Sequence, residues 1–139
     1  MIATQTIAET LKNIVAASFP AVGFVTGGSP EQAAAGKSLP AGLRPPCVLI
    51  MAGDGAWTDS TLTRRQHFHL VLIDLLKGDG DARATAAWAR FDALQEMFPP
   101  EGLQSQSGSM IFLPESFRLL ECSDARAAAC LTVTALSPA

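Results

Sequence analysis

The chain has 139 residues, 48% hydrophobic and 17% charged, with a net charge of −3 and a sequence pI near 5.2. That length suits one domain able to bury roughly two-thirds of its unfolded surface without metals or disulfides. The acidic balance, with Arg64-Arg65 the sole adjacent cationic pair, argues against a nucleic-acid binder, and no apolar run approaches the roughly 20 residues that cross a bilayer.

Thr6-Ile-Ala-Glu9 has the form of a capping box. Ile7, Leu11, Ile14 and Val15 then make one apolar stripe, so the first element is a helix that Pro20 ends near Ala17 or Ser18. The absence of a basic leading segment, with Glu9 and Lys12 among the apolar residues, speaks against a signal peptide; the chain reads as soluble and intracellular. "AVGFVT" (21–26) is a short strand. A connection rich in Gly, Pro and Ala, about 27–46, is expected to be long and flexible. "PCVLIM" (46–51) is a buried strand, and Asp54-Gly55 suits a tight reversal into an antiparallel partner over about 60–75. On that partner Gln66, Phe68, Leu70 and Leu72 form the core face. Arg65, His67, His69, Val71 and Ile73 form the other, and its polar half, Thr61 to His69, is expected as an exposed edge.

A second helix follows "KGDGD", capped by Asp79 or Asp81. Its expected buried stripe is Ala84, Ala87, Trp88, Phe91, Leu94 and Phe98, and Pro99-Pro100 stops it. After a polar segment at 104–109 come three strand candidates, 110–113, 116–122 and 128–136. Strands do not alternate with helices. The fold class is therefore α+β, a mainly antiparallel sheet with two principal helices packed on it in the order α-β-β-β-α-β-β(-β), as a single domain over 1–139.

"GGSPEQAAAGKS" (27–38) ends like a phosphate loop, but Glu31 stands where the loop's first glycine belongs, and "LPAGLRPP" cannot supply the helix that must follow. The same letters spell a short helix near 30–35, with Ser29 as N-cap, Pro30 first, Glu31 at the positive end and Gly36 as stop. His67 and His69, the two histidines of the chain, share one strand face and can share a metal, yet no acidic cluster accompanies them in sequence. Cys47, Cys122 and Cys130 lack metal spacing and are expected as reduced core residues. No nucleophile motif appears, so no catalytic residue and no cofactor is expected, and the chain is not read as an enzyme.

The order of elements resembles the phage tail terminator proteins, the lambda-type minor tail proteins and their Mu-like prophage relatives. So do "PPCVLI" before "TRRQHFHLVLID", the helix "DARATAAWARFDALQEMF" and the closing "AAACLTVTAL". The resemblance implies an α+β subunit of a six-membered homo-oligomeric ring. Such a ring caps the tail tube, stops its polymerisation and meets the head-side connector, first in the host cytoplasm and then in the virion tail. It brings no catalytic residues, no nucleic-acid sequence recognition and no membrane contact. Its contacts fall on loops and sheet edges: here Ser29, Pro30, Glu31, Lys37, Leu39, Leu43 and Arg44 of the connection, and Arg64, Arg65, His67 and His69 of the long strand. Two alternatives stay open: another head–tail completion or minor tail protein, and a small-ligand or metal-binding domain using the His67/His69 face.

Overall fold

In the computed structural model the elements run α1 (Thr4–Ala16), β1 (Val22–Phe24), α2 (Pro30–Ala34), β2 (Cys47–Thr58), β3 (Thr63–Leu75), α3 (Gly80–Glu96), β4 (Leu103–Gln104), β5 (Ile111–Leu120) and β6 (Arg126–Pro138). The structure describes residues 1–35, 39–40, 42–58, 63–75, 80–120 and 126–138. Among them three helices pack on a six-stranded sheet of order β1-β2-β3-β6-β5-β4, antiparallel except that β1 runs parallel to β2. This is an α+β fold. One end of the sheet, its base, holds Cys47, Ile73, Leu120 and Ala128; the other, its rim, holds Thr58, Thr63, Ile111 and Pro138.

Both faces of the sheet are used, because alternation along each strand sends neighbouring side chains to opposite sides. On one face α1 and α3 cover Val48, Ile50, Phe68, Leu70, Leu72, Phe112, Leu131 and Val133. Burial of each large aliphatic or aromatic side chain there is worth about 1.5–3 kcal/mol. On the other face, near the base, α2 sets Ala33 and Ala34 against Leu49, Val71, Ile73, Leu120 and Cys130. Of the three cysteines, Cys47 and Cys130 are buried thiols; Cys122 lies outside the described residues.

Several expectations change. The first helix starts earlier: Ala3 is the N-cap with no side-chain cap bond, and Thr6, the expected cap, lies within the helix, its carbonyl accepting from Thr10 Oγ1 at 2.9 Å. A tertiary contact organises that start, since Arg64 donates to Ile2 O at 3.0 Å and Thr4 Oγ1 at 2.9 Å. Asp54-Gly55 is not a reversal. It lies at a bulge between Ala52 and Gly55, after which β2 keeps pairing through Trp57 and Thr58, because the ladder absorbs the extra residue and continues.

The long strand is no edge. β3 is paired along its length by β6 on one side and over most of it by β2 on the other, so its polar half is central in the sheet. Candidates 110–113 and 116–122 join into β5 across a bulge between Pro114 and Ser116. A proline is tolerated there because it sits at the bulge, where the ladder is already interrupted. Trp88, expected in the buried stripe of α3, is 60% exposed while Ala87, Phe91 and Leu94 are buried. Among the described residues no helix is long and apolar enough to cross a membrane.

Candidate functional site

The connection between β1 and β2 carries the first group of predicted residues. Ser29 caps α2: its hydroxyl accepts from Gln32 N at 3.2 Å, and Gln32 Oε1 accepts from Ser29 N at 3.0 Å, a reciprocal box with Pro30 at the helix start. Leu39 and Leu43 pack onto the base cluster. Gly23 permits the crossing, since a Cβ there would meet Leu43 Cδ2 at 2.9 Å and Pro40 Cγ at 3.3 Å. Their apolar surface therefore serves this chain's own core, while Arg44 is exposed. Lys37 lies outside the described residues. Glu31 projects from α2 to an ion pair with Arg118 of β5, both half-exposed. Hydrogen bonding from Arg118 holds the Glu31 carboxyl below its ordinary range, and Glu31 raises the guanidinium in turn. This pair ties the connection to a strand 87 residues later in sequence.

Beyond α2, toward the rim, the same sheet face is uncovered and polar. The register places His67 opposite Thr134 and His69 opposite Thr132. Thr134 Oγ1 donates to Glu115 Oε1 at 2.8 Å and lies 3.0 Å from His67 Nδ1. A hydroxyl has one proton to give, and here it goes to the carboxylate. His67 must therefore donate from Nδ1, which fixes the neutral ring as the Nδ1–H tautomer with its Nε2 lone pair unshared. The β5 bulge makes this possible by bringing Glu115 to the side of Thr134.

His69 sits deeper. Its Nδ1 is 2.9 Å from Thr132 Oγ1 and 4.0 Å from Cys130 Sγ. Its Nε2 fills the space left by Gly53, where a Cβ would approach it to 3.1 Å. Burial, then the neighbouring His67 and Arg118, push His69 below the ordinary imidazole value, with Asp54 and Glu31 opposing weakly. Burial likewise raises both core thiols, Cys47 to about 11.

The predicted residues thus separate. His67 and His69 share a site with Thr132, Thr134 and Glu115. Arg65 is exposed on the same face, and Arg64, opposite Trp57, reaches α1 on the other face. The site offers a hydrogen-bonded imidazole base at His67 and a sheltered imidazole at His69. Among the described residues no three His, Cys, Asp or Glu groups are arranged to hold a metal. Sequence reasoning missed Glu115, Thr134 and Arg118. The alternation of Thr132 and Thr134 was the available signal, and nothing local marked Glu115.

No family model matches the chain, and no curated protein does. A chain of known structure is similar over 100% of this chain and 98% of its own length, with a TM-score of 0.54 and 16% sequence identity. At that identity the likeness shows the fold alone.

Proposed function

We propose that this chain is a structural assembly protein of a phage or prophage tail, acting as a tail terminator: a homo-oligomeric ring that caps the tail tube and stops its growth. The observation that carries the reading is the surface distribution of large apolar side chains. Trp57, Trp88 and Leu119 are 54%, 60% and 65% exposed. Large apolar groups held outward in this way suit burial by partners. The partners of this reading are further copies of the chain, the tube subunit and the head-side connector; its place is the host cytoplasm during assembly and then the virion tail. The test mixes the purified protein with polymerising tube subunits encoded in the same genome and measures tube lengths by electron microscopy. Shortened tubes with an added density at one end are expected; an unchanged length distribution with bare ends would refute the reading.

A second reading rests on the Glu115–Thr134–His67 chain, which orders an imidazole on an open face. In it the His67/His69 face binds a small ligand or metal. Zinc titration followed by calorimetry, on the wild type and on His67→Ala, tests it; heat that persists unchanged in the variant, or no heat at all, counts against it.

A further inference from the structure

Two bulges flank the open half of the polar sheet face. In β2 both Gly53 and Asp54 stand opposite His67, because Ala52 pairs with Phe68 and Gly55 with Gln66. In β5 Glu115 is the extra residue between Pro114 and Ser116, which pair with Val133 and Thr132. A bulge re-aims a side chain that regular pleating would send elsewhere, and bulges gather beside functional sites for that reason. Glu115 is engaged by the Thr134 hydroxyl. Asp54 instead lines a cavity of about 390 Å³ together with Gly55, Ala56, Trp57, Arg65 and His67, a volume within the range of small-molecule sites.

The charged groups on this face divide into engaged and unengaged. Glu31 and Arg118 pair with each other. Among the described residues, the side chains of Asp54 and Arg65 enter no hydrogen bond or ion pair, and both are exposed. Their charges are opposite, and His67 stands beside both. Arg65 precedes it by two residues on the same strand face, about 7 Å along β3, and Asp54 lies across the ladder from it. The Asp54 charge is also felt at His69, where it opposes the burial that lowers that imidazole. Because His67 donates from Nδ1 to Thr134, its Nε2 remains as an acceptor. The cavity therefore offers two acceptors at one end, the Asp54 carboxylate and the His67 Nε2 lone pair, and a guanidinium fork of donors at the other.

We propose that this cavity binds a small zwitterion of the amino-acid type, its ammonium held between Asp54 and Nε2 of His67 and its carboxylate held by the Arg65 guanidinium. An anion alone would satisfy Arg65 and leave Asp54 facing a like charge. A cation alone would satisfy Asp54 and set a second positive charge beside Arg65. A metal ion fits less well still, since among the described residues no three His, Cys, Asp or Glu groups converge and a guanidinium has no lone pair to give. The zwitterion answers each group: its ammonium donates to both acceptors, and its carboxylate matches the guanidinium fork with two parallel bonds. The Glu115–Thr134 brace contributes by holding the neutral His67 ring with Nε2 as acceptor. This inference rests on the second reading above, names the ligand class of that site, and is independent of tail assembly.

The experiment follows the full chain by nitrogen-15 NMR at neutral pH. The chain is titrated with glycine, with glycinamide, which lacks the carboxylate, and with N-acetylglycine, which lacks the ammonium. Glycine should bind at least about tenfold more tightly than either analogue, since each analogue leaves one charged group of the cavity without its bond. The His67 Nε2 signal should move as glycine binds. Asp54→Asn should erase the preference over N-acetylglycine, and Arg65→Gln the preference over glycinamide, with circular dichroism confirming that both variants are folded. Equal binding of the three compounds, preferences that survive in both variants, or no response to glycine would overturn the proposal. A protein silent to glycine that gives zinc heat in the wild type and none in His67→Ala loses the zwitterion and keeps the second reading. Silence to glycine and to zinc alike removes both.

Discussion

The two faces of the sheet are built from the same strands and put to different uses. Under α1 and α3 the face is apolar from the base as far as Phe68 and Phe112, which with Leu70 are fully buried, and only at the rim does it carry Gln66 and Arg64, both tied to the start of α1. The opposite face is dry only near the base, where α2 lies over Val71, Ile73 and Cys130, and turns polar at His69, Thr132, Thr134 and His67. The change falls where helical cover ends. Backbone pairing is indifferent to it, since the β3–β6 ladder runs unbroken from Thr63 to Leu75. Cover, not pairing, decides which half of a strand can carry groups with chemistry.

The sharpest way to break this comparison is to cut one side chain on each face. Phe68→Ala removes a fully buried ring from beneath the helices and should cost about 3–5 kcal/mol in denaturant unfolding, transfer and cavity terms together. A loss under about 1 kcal/mol would mean that the helical face is not the main source of stability.

Thr134→Val is the corresponding cut on the open face. It keeps the buried shape and removes the hydroxyl that joins His67 to Glu115. Both partners are exposed and regain water, so the expected loss is about 1 kcal/mol. The ring should also lose its enforced tautomer, which nitrogen-15 spectra of the His67 side chain would register as a shift toward the Nε2–H form. An unchanged tautomer would show that the threonine does not orient the imidazole.

How much of this was legible in the sequence follows from what each feature depends on. The α2 box is local: Ser29, Pro30 and Gln32 lie within one turn, and their letters suffice. The core face of β3 is likewise local, because period-two alternation puts Phe68, Leu70 and Leu72 together. Trp88 misled because α3 is rich in alanine, which fits a buried or an exposed position equally. The stripe through Ala84, Ala87, Phe91 and Leu94 leaves Trp88 on its flank. The place of β3 at the centre of the sheet depends on β6, which follows it by more than fifty residues. The Glu115–Thr134–His67 chain depends on two registers and a bulge at once, and no spacing in the sequence encodes those.

The smallest expected effect concerns the tie between α2 and the open face, and it is best read in the pH dependence of stability. Arg118→Ala removes an exposed pair and should cost about 0–1 kcal/mol at neutral pH, screened further by salt. The acid limb separates its contributions. His69 is held below its ordinary value, so on acidification the unfolded chain takes up that proton first. Its contribution is present above the ordinary imidazole value, about 6.5, and fades as pH falls through the folded one. Glu31, also held low, acts in the same direction further down, from the ordinary carboxylate range, about 4.3, and below. His69→Asn should therefore flatten the upper part of the limb and Arg118→Ala the lower part, as measured by urea midpoints at successive pH values. If Arg118→Ala flattened neither, the ion pair would contribute nothing to holding the connection, and the packing of Ala33, Ala34, Leu39 and Leu43 on the base cluster would suffice to keep α2 in place.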